Sequence, residues 1–188
     1  MQVHNSTARY GALAQSFHWI IVALIITQYV LAWQADHATG LHKISPLIRH
    51  KSIGMTVFAL AVLRLLWRWS NPTPALPAHM PRWERWAAHA SHFLLYAFLF
   101  LQPISGLLMS QARNYQVSWF GLFTFPALIA PNKWAYDFLV SFHGLLATVL
   151  FCVALLHIAA AFKHHLFDKD DVLRRMLPVR LRGDNTRG

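Results

Sequence analysis

Four long runs of apolar residues dominate the chain, and most polar residues lie between them. The runs span about residues 14–33, 50–69, 86–110 and 137–162. About 20 helical residues cross a bilayer, and these runs lack the alternation typical of membrane β-strands. The pattern therefore predicts an all-α fold: an integral membrane four-helix bundle that forms a single domain over residues 1–188.

Composition supports a membrane protein over the other classes. Hydrophobic residues make up 56% of the chain and charged residues 13%, about half of the roughly 25% typical of soluble domains. Lys and Arg outnumber Asp and Glu by 17 to 7, but the long uncharged runs favour the lipid bilayer over nucleic acid as the partner. The single cysteine, Cys152, excludes an internal disulfide and a zinc or iron–sulfur site built from cysteines.

The distribution of basic residues predicts the orientation. If both termini are cytoplasmic, twelve of the 17 basic residues lie inside, as the positive-inside rule requires. The chain then ends in a basic cytoplasmic tail over residues 163–188. The five basic residues that face the periplasm are Lys43, Arg49, Lys51, Arg113 and Lys133.

Histidines inside the apolar runs are the strongest functional signal, because an ionisable group in a membrane is costly. His143 and His157 are 14 residues apart on the fourth helix, so they differ by about 40° in direction and about 21 Å in depth. The predicted orientation puts His50 level with His143 on the periplasmic side, and His18 level with His157 on the cytoplasmic side. Two facing pairs at two depths are the arrangement that holds two b-type haems in a helical bundle.

Other interpretations of these residues stay open. A lone membrane histidine commonly makes a helix–helix hydrogen bond, and a metal site would need ligands clustered at one depth. His89 and His92 lie at the cytoplasmic level on the third helix, where either replaces a ligand or hydrogen-bonds a haem propionate. Arg64 and Arg68 are candidate partners for propionates, although snorkelling to the headgroups explains them equally well.

Several short motifs occur in a definite order around these histidines. They are Ser16-Phe17-His18-Trp19, Arg64-Leu65-Leu66-Trp67-Arg68, Asn71-Pro72-Thr73-Pro74, Pro103-Ile104-Ser105-Gly106, Trp119-Phe120-Gly121 and Arg175-Met176-Leu177-Pro178. Over residues 9–178 the chain resembles the bacterial cytochrome b-561 family, and more distantly the cytochrome b subunits of formate dehydrogenases and hydrogenases. The resemblance implies a non-covalent haem b held by His18 and His157, and a second held by His50 and His143.

The best-characterised activity of that family is superoxide:ubiquinone oxidoreductase, and this activity is the prediction for the chain. A multi-pass protein of the bacterial inner membrane would take electrons from superoxide at the periplasmic face and reduce ubiquinone in the bilayer. The five outward basic residues would steer the superoxide anion, although a merely solvated face explains them as well. No residue is identified as catalytic, and no quinone pocket is apparent.

Two other functions are compatible with the same residues. In the first, the protein is a non-catalytic cytochrome b conduit or anchor, and its basic face docks a periplasmic dehydrogenase or another redox protein. In the second, it is a histidine-rich transporter without haem.

Overall fold

The computed structural model describes residues 2–178, and helices form most of this part of the chain. The long helices are α1 (Ala12–His37), α2 (Ile44–Trp69), α3 (Arg82–Ala112) and α4 (Lys133–Leu166). Short 3₁₀ turns cover Gly40–Lys43 and Arg174–Met176, and the strands β1 (Ser118–Trp119) and β2 (Phe123–Thr124) pair antiparallel. All four helices are long and apolar enough to cross a membrane, which confirms the predicted four-helix architecture.

Successive helices run in opposite directions, so the bundle has two distinct ends. The terminal end consists of residues 2–11, the α2–α3 loop 70–81 and residues 167–178. The hairpin end consists of the 3₁₀ turn before α2 and the β-hairpin between α3 and α4.

The helices extend beyond the predicted apolar runs. α2 begins six residues before the run that opens at His50, and α4 is four residues longer at each end than the run 137–162. Helical hydrogen bonding continues through polar residues that a hydropathy count excludes, so such boundaries shift by several residues. At the start of α4 the side chain of Asn132 accepts a hydrogen bond from the Ala135 N–H at 3.0 Å, which caps the helix. Of the predicted tail 163–188, the last ten residues lie outside the described residues.

The core is divided into two small clusters. One joins α1, α2 and α3 through Ile21, Val57, Ala61 and Leu99. The other joins α3 and α4 through Phe98, Leu146 and Leu150. Many other large apolar side chains are exposed on the outside of the bundle, as a lipid-facing surface requires.

Hydrogen bonds join the segments of the terminal end to one another and to α1. Asn5 Nδ2 donates to the Pro72 carbonyl at 3.0 Å. Trp19 Nε1 donates to the Met176 carbonyl at 2.8 Å, and Gln15 Nε2 donates to the Arg175 carbonyl at 3.1 Å. These contacts fix the positions of the segments that cover the start of α1 and the end of α2.

The hairpin was not predicted from the sequence. Phe120 and Gly121 have φ angles of 49° and 78°, the left-handed geometry of a tight hairpin turn. The fully buried Ser52 on α2 holds this turn in place, since its hydroxyl donates to the Ser118 carbonyl and accepts from the Phe120 N–H, both at 3.1 Å. Trp119 Nε1 also donates to Thr56 Oγ1 at 3.0 Å, so the Trp119-Phe120-Gly121 motif docks the hairpin onto α2.

Candidate functional site

The histidines of α2 and α4 face each other near the hairpin end. The ring centroids of His50 and His143 are 6.3 Å apart, and the ring planes are inclined by 74°. The Nδ1 atom of His50 lies 3.3 Å from the Gln28 carbonyl, which can only accept. His50 therefore carries its proton on Nδ1, and its Nε2 keeps a lone pair for a metal.

A serine on α3 orients the opposite ring. Ser105 Oγ donates to the Gln102 carbonyl at 2.9 Å and lies 2.9 Å from His143 Nδ1. Because the hydroxyl proton is already used, Ser105 accepts a hydrogen bond from His143 Nδ1–H. The amide of Gln102 lies 3.2 Å from His143 Nε2 and donates to it. The lone pair of His143 is thus on Nε2, as it is for His50.

Three glycines border the space between these histidines. The cavity has a volume of about 420 Å³, and Gly54, Gly106 and Gly144 line it together with His50 and His143. A Cβ atom on Gly106 would lie 3.1 Å from His143 Cε1, whereas one on Gly144 would meet no atom within 4 Å. The missing side chain of Gly106 therefore leaves room for the close approach of α3 to the His143 ring.

Three histidines converge near the terminal end. His18 on α1 and His157 on α4 have ring centroids 6.5 Å apart, with planes inclined by 65°. His92 on α3 also approaches His157, at a shorter centroid distance of 5.3 Å. The structure therefore brings together both of the pairs expected from depth, and adds a third imidazole at this level.

Two arginines of α2 turn inward at the same level. Arg64 Nη2 lies 3.2 Å from His18 Nδ1. The guanidinium groups of Arg64 and Arg68 lie 5.6 and 5.8 Å from the centroid of the Tyr96 ring. These contacts orient both cations toward α1 and α3 and not outward to lipid headgroups. His18 differs from His50 and His143 because the group beside its Nδ1 is a cationic donor.

Comparison with known proteins identifies the family. The family described as "Prokaryotic cytochrome b561" matches residues 9–179. The chain belongs to the prokaryotic cytochrome b561 family. It is therefore a multi-pass membrane protein of the bacterial type that binds b-type haem and transfers electrons, and the resemblance seen in the sequence is confirmed.

Two of the relatives described below align with nearly the whole chain, and a third aligns with 70% of it. The protein named "Cytochrome b561 homolog 2" of Escherichia coli (strain K12) is 37% identical over 181 residues, which cover 94% of this chain and 95% of that protein. The "Probable superoxide oxidase CybB" of Yersinia pestis is 29% identical over 174 residues, covering 90% of this chain and 96% of its own. "Cytochrome b561 homolog 1" of Escherichia coli (strain K12) is 27% identical over 131 residues, covering 70% of this chain and 74% of that protein.

The spacing of the imidazoles fits the haem that this family binds. Metal–nitrogen bonds of about 2 Å and a ring nitrogen about 1.1 Å from its centroid place two axial imidazoles about 6.2–6.4 Å apart. The observed separations are 6.3 Å for His50 and His143 and 6.5 Å for His18 and His157. The separation of His92 and His157 is about 1 Å too short, which favours His18 over His92 as the second ligand.

His89 and His92 lie in different environments in the structure, although nothing in the sequence distinguishes them. His92 contacts the His157 ring, whereas His89 is exposed and lines a groove on the outside of α3. Residues three apart on a helix point about 60° away from each other, but the rotation of α3 in the bundle decides which one faces inward. The expected hydrogen bond from His89 to a haem propionate stays a prediction.

The five basic residues predicted at the periplasmic face all lie at the hairpin end, in different environments. Lys51 lines the cavity beside His50 and stacks over the Tyr115 ring. Arg113 stacks over the Tyr136 ring, and Lys133 forms an ion pair with Asp137 at 2.6 Å. Lys43 and Arg49 are exposed. Only Lys51 of this group borders the space between the histidines.

A separate charged cluster lies at the terminal end. Lys163 forms ion pairs with Glu84 at 2.7 Å and Asp168 at 2.8 Å, and His164 lies 2.7 Å from Asp170. The donor atoms of Glu84, His164 and Asp168 are close enough together to hold a metal ion. However, the Lys163 ammonium is shared between the Glu84 and Asp168 carboxylates, and its hydrogen bond holds the pKa of Asp168 below its usual range. The cluster therefore ties α3 to the end of α4.

Proposed function

We propose that the protein is a di-haem oxidoreductase of the bacterial inner membrane that oxidises superoxide and reduces ubiquinone. The observation that carries the proposal is the presence of two imidazole pairs whose spacing would let each pair hold one haem, one of them beside a cavity that Lys51 lines. The similarity to a probable superoxide oxidase supports the same function.

Each proposed haem has a defined set of protein ligands. His50 and His143 hold one haem near the hairpin end, and His18 and His157 hold the other near the terminal end. Haem iron supplies one-electron chemistry when it is bound, and two imidazoles leave it no open position. The histidines therefore favour outer-sphere electron transfer over binding of oxygen.

Arg64 and Arg68 bind the propionates of the haem at the terminal end in this proposal. The supporting contact is the 3.2 Å approach of Arg64 Nη2 to His18 Nδ1. Because a guanidinium only donates, the present contact uses the lone pair on His18 Nδ1, and Arg64 would have to leave Nδ1 before this ring could present Nε2 to a metal. A carboxylate is the partner that attracts it in the new position, since arginine forms strong bidentate hydrogen bonds with carboxylates.

The orientation follows the distribution of charge. The hairpin end faces the periplasm and the terminal end faces the cytoplasm, as the positive-inside rule predicts. Superoxide is an anion, so a positive surface at the hairpin end raises its rate of encounter. Lys51 is the cation of this surface that lines the cavity, although the carboxylate of Asp36 on the same wall partly offsets it.

The overall reaction balances with two one-electron donors for each acceptor. Two superoxide ions release two electrons and leave as two molecules of oxygen. One ubiquinone takes these electrons and two protons from water and becomes ubiquinol. Haems held by the two histidine pairs would let the bundle store both of these electrons.

The stoichiometry of this reaction tests the proposal. Purified protein receives superoxide from an enzymatic source together with a short-chain ubiquinone, and quinol and oxygen are measured. The proposal predicts one quinol for two superoxide ions consumed, at a rate far above that of a sample without the protein. Superoxide loss without quinol formation would contradict it.

A non-catalytic electron conduit is the second candidate. The exposed Lys43 and Arg49 favour it, because they lie outside the cavity where an acidic redox protein can contact them. A conduit alone would be inert to superoxide, but its haems would be reduced rapidly by the partner protein. The same assay without and with a periplasmic redox fraction separates the two functions.

A further inference from the structure

A groove on the outside of α3 at the terminal end is separate from the histidine pairs. It has a volume of about 310 Å³ and is lined by Arg82, Arg85, Trp86 and His89. At 100° per residue these four side chains fall within an arc of about 100° on one face of the helix. Phe93 continues the same face and is 72% exposed, at about 16 Å from Arg82 along the axis.

The loop before α3 holds one of the two arginines in position. Arg85 Nε donates to the Met80 carbonyl at 3.1 Å, and its Nη2 donates to Pro77 and Ala78 carbonyls at 3.3 and 2.8 Å. Within residues 2–178, no hydrogen bond accounts for the two N–H groups of Nη1. The guanidinium is therefore fixed in place and retains donors for an outside acceptor.

The positive charge of Arg82 and Arg85 is not compensated by Glu84, the acidic residue in the first turn of the same helix. Glu84 lies about 200° from Arg82 around the axis. Its carboxylate binds Lys163 at 2.7 Å, on the other side of the helix. An anion beside Arg82 and Arg85 thus meets no carboxylate from Glu84.

We propose that this groove binds the headgroup of an anionic phospholipid in the leaflet at the terminal end. The lining combines two arginines with the rings of Trp86 and His89, which suits a ligand with both a charged headgroup and an apolar glycerol and acyl region better than a free phosphate ion. Trp86 is 77% exposed, and indole rings favour the level of the headgroups. Basic pockets beside membrane helices are typical sites for anionic headgroups, and Phe93 extends the face into the hydrocarbon region.

Native mass spectrometry of the haem-loaded protein with phosphatidylglycerol or phosphatidylcholine tests this site. The groove variant is Arg82→Ala/Trp86→Ala. The matched control is Arg174→Ala/Trp83→Ala, which removes the same residue types from exposed positions at the same end. Equal haem absorbance shows that each variant is folded, and the single variant Arg82→Ala replaces the double one if folding fails.

The wild type and the control are expected to retain one phosphatidylglycerol in preference to phosphatidylcholine. The groove variant should bind it at least about fivefold more weakly, the loss expected for one basic residue near a membrane surface. Equal retention by the groove variant and the control would overturn the proposal. Displacement of the lipid by inorganic phosphate at similar concentration would overturn the assignment to a phospholipid.

Discussion

The Ser105 hydroxyl lies 2.9 Å from His143 Nδ1 and accepts a hydrogen bond from it. Ser105 is 3% exposed, and its own proton is donated to the Gln102 carbonyl. A hydrogen bond from a ligand's Nδ1–H raises the basicity of the imidazole and tunes the metal. If His143 holds a haem as proposed, the Pro103-Ile104-Ser105-Gly106 motif would act on that redox centre through the Ser105–His143 hydrogen bond.

Replacing Ser105 by alanine should raise the midpoint potential of one haem. A hydrogen bond worth about 0.5–1.5 kcal/mol that stabilised only ferric iron would shift a one-electron couple by about 20–60 mV, and this range is the upper limit for its loss. A spectroelectrochemical titration measures this shift. Ser110→Ala is the control, because Ser110 is also buried on α3 but bonds the Gly106 carbonyl of its own helix. Equal potentials in the two variants would refute the role of Ser105.

Haem content should distinguish ligands from their neighbours. His143→Ala and His18→Ala should each retain one haem for every two in the wild type, since each removes one proposed haem ligand. His92→Ala should retain both, because its ring is too close to His157 for an iron between them. The pyridine haemochrome assay gives the count. A loss of haem in His92→Ala without a loss in His18→Ala would reverse the assignment.

A methyl group at Gly106 should disturb the site near the hairpin end. In Gly106→Ala the new Cβ lies 3.1 Å from His143 Cε1, so the ring or α3 must move, at a cost of about 1–3 kcal/mol. We expect a lower melting temperature and weaker retention of one haem. The control is Gly144→Ala. Gly144 lines the same cavity, but a Cβ added there would meet no atom within 4 Å. If both variants behave alike, the close approach of α3 to His143 is not the cause.

The positions of these residues show what the sequence could and could not predict. Helical rise fixes the depth of a residue, so the sequence alone matched His50 with His143 and His18 with His157. The rotation of α3 depends on packing against its neighbours, so the different environments of His89 and His92 were not predictable. The contacts of Ser105 and Gly106 with His143 depend on the register between α3 and α4. The left-handed turn at Phe120 depends on its docking to Ser52, which is distant in sequence.

Removal of the charge on Lys51 should slow electron entry from superoxide. Lys51→Gln should reduce the rate of superoxide-dependent haem reduction severalfold at low ionic strength, and the difference should shrink at high salt because charges are screened. Stopped-flow absorbance measures this rate. Lys133→Gln is the control, since Lys133 is paired with Asp137 and does not line the cavity. Equal slowing in both variants would indicate a general effect of net charge.

Acid should loosen the segment that follows α4. The hydrogen bond from Lys163 lowers the pKa of Asp168. The stabilising contribution of this hydrogen bond is therefore complete above the ordinary aspartate pKa near 3.9, and it is lost as the pH falls through the lowered pKa of Asp168. The protection of residues 167–178 against hydrogen exchange, relative to the intrinsic rate at each pH, should fall below about pH 4.

Lys163→Met should produce faster exchange in this segment already at neutral pH, with a weaker dependence on acid. Lys133→Met removes an ion pair at the opposite end of the bundle and should leave residues 167–178 unchanged. Unchanged exchange in Lys163→Met would show that the ion pair does not hold the segment.

The visible spectrum of the oxidised protein under a flux of superoxide, with and without a soluble quinone, tests the central claim most directly. The account predicts that a reduced b-type haem band appears rapidly and that added quinone returns it to the oxidised form. If the band appears only with a strong chemical reductant, superoxide is not the electron donor, and the protein is a conduit for a redox partner.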